Sequence, residues 1–167
     1  MLPTNLLVKK RRPINKKEAR KVNQGLFETH KIDFSIKAGS YESAQSNEIG
    51  LIIRKGYIFA LVFDSVYHLS VRGLLSHSPN KGWVQVDMGA VPYVCNGANI
   101  MSAGINSVSP EIVEGQYVWV REENHHKPLA IGKSISNADS LINSRKGKAI
   151  ETLHYIGDKI WTYGEKE

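Results

Sequence analysis

The chain has 167 residues, 41% of them hydrophobic and 23% charged, with 22 Lys and Arg against 16 Asp and Glu and a formal net charge of +6. That length and apolar content allow one domain or two small ones with a core of their own, so folding requires neither a metal nor a disulfide, and the lone Cys95 has no partner in the chain for a bridge. The longest apolar run, Tyr57 to Phe63, is far short of a membrane span and Leu6-Leu7-Val8 is too brief for a secretory core, which implies a cytoplasmic protein with no membrane partner.

Charge is unevenly distributed. Residues 1–82 hold 14 Lys and Arg against 6 Asp and Glu, whereas residues 83–167 hold 8 against 10. Residues 1–13 are expected to form an irregular basic arm in which Lys9, Lys10, Arg11 and Arg12 order on a polyanion, following its phosphates without prior shape complementarity. The same run also reads as a nuclear address or a solvated tail. Asn15 and Glu18 have capping-box spacing and predict a helix from Lys16 to Phe27, with Ala19, Val22 and Leu26 as its apolar stripe, basic residues beside it and Gly25 weakening its last turn. Ile32, Phe34 and Ile36 alternate with polar residues as a half-buried strand does. Glu48–Arg54 and Tyr57–Phe63 read as two strands around a Lys55-Gly56 turn, and Leu69–Ser76 as a short helix. Ser78-Pro79-Asn80-Lys81-Gly82 has no apolar residue, and a domain boundary is expected there, leaving 14–82 as an amino-terminal domain and 83–167 as a second one.

In the second half, strands are expected at 83–86, 99–101, 117–121, 129–134, 149–155 and 159–163, with helices only at 90–96 and 137–142, the latter capped by Ser136 and Asp139. Many short strands with few helices indicate a small barrel, so the fold class is α+β: a small α/β domain, then a β-barrel with short helices. Trp161 is expected to close that barrel. Asp87, directly before Gly-Ala, reads as a cap on free amides rather than a catalytic acid, and Pro92 fits the first turn of the helix that follows. Cys95, among Val91, Tyr93 and Val94, is expected to be buried and inert. His125 and His126 diverge if their loop is extended, and no cysteine or histidine stands near them at zinc-ligand spacing, so no metal or other cofactor is indicated. No nucleophile motif or phosphate loop is present in the sequence, which reads as that of a non-enzyme.

The segment Val86 to Ile105, V-D-M-G-A-V-P-Y-V-C-N-G-A-N-I-M-S-A-G-I, leaves the main chain bare at Gly89, Gly97 and Gly104, so that its amides are open to close approach by a polymer. With the later blocks Glu114 to Val120, Leu129 to Lys133, Lys146 to Ile150 and His154 to Trp161, it resembles the PUA domain, the RNA-binding module of pseudouridine synthases and archaeosine transglycosylases. The closing block and the short connector Ile105 to Gly115 are similar to those of the MCT-type (malignant T-cell amplified sequence) translation-associated proteins and their archaeal members, in which a small domain precedes the PUA pseudobarrel. The resemblance implies an RNA-facing helix, loop and strand at Gly89, Ala90, Asn96, Gly97, Asn99 and Met101, with Lys133 and Tyr155 as further contacts. Lys133, Lys146 and Lys148 read equally as cations beside that loop or as solvated lysines, and Tyr93 and Tyr155 equally as stacking platforms or packed rings. The implied partners are RNA (tRNA or rRNA), the small ribosomal subunit and a protein partner. Two other functions stay open: an accessory to an RNA-modifying enzyme, although no pseudouridine synthase aspartate motif or methyl-donor loop is present, and a protein-interaction module that does not bind RNA.

Overall fold

The computed structural model describes residues 5–165 and divides into two compact units, one made of residues 80–158 and the other of residues 5–79 together with 159–165.

The first unit, the one that begins the chain, is built on an antiparallel sheet in the order β1-β2-β3-β4-β5, with β1 at Lys9–Pro13, β2 at Glu42–Ser46, β3 at Ile49–Arg54, β4 at Tyr57–Phe63 and β5 at Val66–Leu69. β3 and β4 are its apolar centre: Leu51, Ile52, Ile53, Ile58, Phe59, Ala60 and Leu61 are all buried, and the Lys55-Gly56 turn joins them. The arm therefore departs from expectation over its last five residues. Arg11 makes a two-pronged pair with Glu42 at 2.9 and 2.8 Å, and Arg12 pairs with Glu18 at 2.6 Å, so the basic run is held as an edge strand by acidic partners, one on the neighbouring strand and one in the helix that follows. Pro13, which lacks an amide, is tolerated at such an edge. Residues 1–4 lie outside the described residues.

The expected capping box is present: Asn15 accepts from the Glu18 amide at 2.9 Å, and the Glu18 carboxylate reaches back to the Asn15 amide. The helix it starts, α1, spans Lys16–His30 and so passes the expected end at Phe27. Gly25 does not weaken it; the Tyr67 ring lies so close that a Cβ at this position would be 2.2 Å from a ring carbon. The strand expected through Ile32, Phe34 and Ile36 is an irregular segment instead. Asn23 takes the place of a neighbouring strand, donating to the Ile36 carbonyl and accepting from its amide, both at 2.8 Å, and Asp33 closes a local turn on the Ser35 amide. The helix expected from Leu69 begins at Val71 (α2, Val71–Ser76), because Leu69 ends β5 and Ser70 serves as the cap.

In the second unit a six-stranded sheet runs in the order β7-β11-β10-β9-β6-β8, with β6 at Trp83–Val86, β7 at Ile100–Met101, β8 at Ile105–Val108, β9 at Tyr117–Glu122, β10 at Pro128–Ser134 and β11 at Lys148–Tyr155. Only β6 and β9 pair in parallel. Val84, Val86, Ile105, Val118, Val120, Ala130, Leu141 and Ile150 form its core. The helices are short, α3 at Val91–Val94 and α4 at Ala138–Asn143; Asn137, not Ser136 or Asp139, caps α4 by accepting from the Ser140 amide at 3.0 Å. The mixed α+β class is as expected.

The last expected strand, 159–163, is a helix, α5 (Lys159–Thr162), which groups with the first unit. Trp161 closes no barrel. Its ring lies 4.1 Å from the Arg72 guanidinium, whose other ring neighbour is Tyr57 at 4.5 Å, and Arg72 also donates to the Trp161 carbonyl and to Glu165. Tyr163 accepts from Arg11 at 2.9 Å, and Gly164, at φ +89°, sits against the Gly56 carbonyl where a Cβ would be 2.2 Å from the oxygen. An aromatic–cation stack and a glycine contact, neither legible as periodicity, decide where this segment goes.

This packing sets the stability of the first unit in two testable ways. His30 is buried; its Nε2 accepts from the Leu69 amide at 2.9 Å while His68 donates from Nδ1 to the Leu69 carbonyl at 2.8 Å, with the two rings edge to face at 4.5 Å. Burial, reinforced by His68, drives the His30 imidazole from 6.5 to about 2. Below pH 6.5 the unfolded chain takes a proton that the folded chain refuses, so stability is lost as pH falls, by up to about 1.4 kcal/mol per pH unit. Urea titrations between pH 7 and 5, where the glutamates paired with Arg11 and Arg12 remain ionised, should show this slope in the wild type and a shallower one in His30→Gln; equal slopes contradict the assignment. Gly25→Ala should be destabilising, against the roughly 0.5–1 kcal/mol gain usual for this change in a helix, and thermal melts of Gly25→Ala in the wild-type and Tyr67→Ala backgrounds should show a smaller loss in the latter, where the ring atoms that the new methyl would meet are gone.

Candidate nucleic-acid interface

Asp87 directly follows β6 and accepts from the Ala90 amide at 2.9 Å, the capping role expected of it. Met88–Ala90 make a single 3-10 turn that feeds α3, with Pro92 in the first turn where no amide is needed. The chain leaves α3 through Cys95 and Asn96 and reverses at Gly97, whose φ of +88° excludes most side chains. The Gly97 and Ala98 amides return to the Val94 and Tyr93 carbonyls at 3.0 and 3.1 Å.

The glycines serve the protein's own packing first. A Cβ on Gly97 would be 2.8 Å from the ring of Tyr155, and one on Gly104 would be 3.3 Å from the Cβ of Ala90. The loop is thereby pressed onto β11 and the helical turn onto the segment after β7. Asn99 adds a polar staple, accepting from the Thr152 amide at 3.0 Å, while the Thr152 hydroxyl donates to the Ala98 carbonyl at 2.9 Å. Tyr155 is half-buried against the core, and its ring is committed to the Gly97 contact.

Outside this packed layer lies an exposed apolar row: Met88 is 40% exposed, Tyr93 70% and Met101 51%. Asn96 and Cys95 are exposed beside it. Cys95 is thus not buried as expected: the residue sits at the open end of α3, and partial desolvation pushes its thiol up, which keeps it protonated at neutral pH. In register with Met101 on the neighbouring strand is Lys148, and the Ser102 amide donates to the Gly147 carbonyl, so Lys146, Gly147 and Lys148 border the row. Lys148 lies 3.8 Å from Glu151, a loose surface pair. Lys133 is on β10, opposite Glu151 in register and 5.6 Å from the Tyr117 ring. Gly89, Ala90, Asn96, Gly97, Asn99 and Met101 are thus brought into one layer, Lys133 stands two strands away from β7, and Tyr155 lies beneath. Sequence reasoning missed Met88; the signal was a long apolar side chain directly after a capping Asp.

Lys9, Lys10, Arg11 and Arg12 belong to the first unit, where Arg11 and Arg12 are engaged with glutamates whose carboxyls they hold below the usual range. Lys9, Lys10 and the outward residues of α1, Lys16, Lys17, Arg20 and Lys21, are exposed. No group of three or more His, Cys, Asp or Glu among the described residues is placed to hold a metal, and no described helix is long and apolar enough to cross a membrane. The chemistry available to the face is contact: a stacking ring, thioethers, amides and flanking ammonium groups.

A family model for the PUA domain matches residues 82–156. An uncharacterized protein of Methanocaldococcus jannaschii is 34% identical over 158 residues, spanning 93% of this chain and 98% of that one. Translation machinery-associated protein 20 of Saccharomyces cerevisiae is 36% identical over 86 residues, and the match covers 48% of each protein, so the chain spans about half the length of this relative. Malignant T-cell-amplified sequence 2 of Homo sapiens is 34% identical over 80 residues, 46% of this chain and 44% of that one. Among solved structures, a hypothetical protein of Pyrococcus horikoshii superposes with a TM-score of 0.77 at 26% identity, covering 90% of this chain and 97% of that one. Similarity at full length to an archaeal protein, and over about half the chain to the yeast and human proteins, places the chain: it belongs to the PUA-domain proteins, in the MCT-type branch with its archaeal members.

Proposed function

We propose that the chain is a cytoplasmic, RNA-binding, translation-associated protein that recognises structured tRNA or rRNA at the small ribosomal subunit. The observation that carries the reading is the row Met88, Tyr93 and Met101, exposed on a layer fixed by Gly97, Tyr155 and Asn99 and bordered by Lys146 and Lys148. A ring such as Tyr93 stacks on an unpaired base, the lysines meet phosphates, and the fixed loop supplies shape. The name of the yeast relative supports the translational setting. The exposed cations of the first unit supply a field that draws RNA in without reading its sequence.

One observation favours a second reading, a protein-interaction module: Met and Tyr are enriched at protein interfaces, and the half of the chain that presents them carries 8 Lys and Arg against 10 Asp and Glu. Salt separates the two. Anisotropy titrations with labelled tRNA should give an affinity that falls steeply with salt, and Lys146→Gln with Lys148→Gln should flatten the log–log slope by about 0.9 for each phosphate no longer neutralised. Tyr93→Ala should weaken binding by about 1–3 kcal/mol with the slope unchanged. RNA retention that ignores salt and all three changes contradicts the proposal. Gly97→Ala tests the scaffold: thermal melts should show a loss of order 1–3 kcal/mol from the enforced positive φ and the Tyr155 clash, and Tyr155→Leu should recover part of it.

A further inference from the structure

A concave site lies within the first unit. It has a volume of about 370 Å³, and its wall includes Arg54, Lys55, Tyr57, Phe59, Arg72 and Leu75. The cations there are of two kinds. Arg72 is fixed between the rings of Tyr57 and Trp161 and neutralised by Glu165 at 2.7 Å, so it acts as a rigid part of the wall. Arg54 and Lys55 have no carboxylate partner among the described residues; the Arg54 guanidinium lies 5.9 Å from the ring centroids of both Tyr41 and Phe59, contacts that do not neutralise its charge. Tyr57 and Leu75 are exposed, which puts a planar ring and an aliphatic side chain beside two uncompensated charges.

That combination selects a ligand. A small inorganic anion would use the charges and leave the ring and Leu75 in water, and a neutral apolar group would leave the charges idle. A nucleotide has both parts, an anionic phosphate and a flat, largely apolar base, and pockets of a few hundred Å³ are of the size that takes one. The carboxy-terminal segment also ties the pocket to the basic edge strand: Gly164 packs on Gly56 and Tyr57, and Tyr163 bonds Arg11 of β1, on which Lys9 and Lys10 are exposed. Cations continuing beyond the pocket suit a repeating phosphate chain better than an isolated mononucleotide. We propose that this pocket takes one unstacked nucleotide of single-stranded RNA, its base against Tyr57 and Leu75 and its flanking phosphates on Arg54 and Lys55. The assignment rests on the RNA-binding reading above and adds a site on the first unit, apart from the row around Tyr93.

The test uses the full chain and a fluorescent RNA hexamer carrying 2-aminopurine. Wild type should bind it with quenching of the base. Arg54→Gln should weaken binding about tenfold, as for removal of a hydrogen bond to a charged group, and reduce the log–log salt slope by about 0.7. Tyr57→Leu should abolish the quenching with the slope kept. Lys55→Gln, at an exposed turn position, repeats the charge test where Arg54→Gln lowers the melting temperature. Wild-type affinity and quenching in all three variants, with binding weakened only by Tyr93→Ala, overturns the pocket and leaves the RNA-binding reading standing. Absence of hexamer and tRNA binding by the wild type removes that reading and the pocket with it. Poly-glutamate bound in preference to the hexamer, and no longer bound by Arg54→Gln, overturns the nucleotide in favour of an acidic protein segment.

Discussion

The contact between the bare Cα of Gly97 and the ring of Tyr155 governs the second unit's outer layer. α3 is a single turn, too short to hold itself by internal hydrogen bonds. Its position comes from outside: the Asp87 cap at its start, the Gly97 reversal pressed on Tyr155 at its end, and the Asn99–Thr152 staple beyond. Glycine is required at 97 for two reasons that coincide, a positive φ and a ring at van der Waals distance. With the loop seated, Ile100 turns into the core while Met101 remains outside. The exposed row is therefore a consequence of internal packing.

The first unit is organised by charge. Among the described residues, its arginines with carboxylate partners each join segments far apart in the chain or bridge a strand to a helix: Arg11 to Glu42, Arg12 to Glu18, Arg72 to Glu165. Exposed pairs of this type contribute little each, but Arg11 and Arg72 also have ring partners, Tyr163 and the Tyr57–Trp161 pair. Charge, stacking and hydrogen bonding at the same two guanidiniums hold the carboxy-terminal segment on this unit. Arg54 and Lys55 are bound to no such carboxylate among the described residues and are available to an external anion.

What the sequence disclosed and what it concealed divide along the range of the interactions. The Asn15–Glu18 capping box, the Asp87 cap and the Lys55-Gly56 turn are local, and they were legible. β1 was not: four consecutive basic residues carry no strand signal, and the glutamate that orders Arg11 is thirty-one residues away. The Ile32 to Ile36 alternation misled because Asn23 satisfies that backbone with a side chain, which no periodicity reports. Trp161 read as a barrel residue because its partner, Arg72, lies eighty-nine positions earlier. At the candidate interface, the glycine loop and Met101 were visible as motif, whereas the use of Gly97 and Gly104 for internal contact, and the exposure of Cys95, required the neighbours to be known.

The two units offer an RNA different things, and their charge explains the difference. Residues 83–167 carry no cationic excess, so beyond the few phosphates that Lys146 and Lys148 can meet, recognition around Tyr93 is left to stacking and shape, both of which decline quickly if the platform moves. Hence the density of fixing contacts beneath that row. The basic unit faces no such demand: a phosphate chain is attracted over several ångströms and tolerates mobile ammonium groups. Rigidity is found where selectivity is proposed, and loosely held cations where attraction is enough. The pocket proposed beside Arg54 and Tyr57 would combine the two requirements, for its wall also includes the Arg72 guanidinium held between the rings of Tyr57 and Trp161.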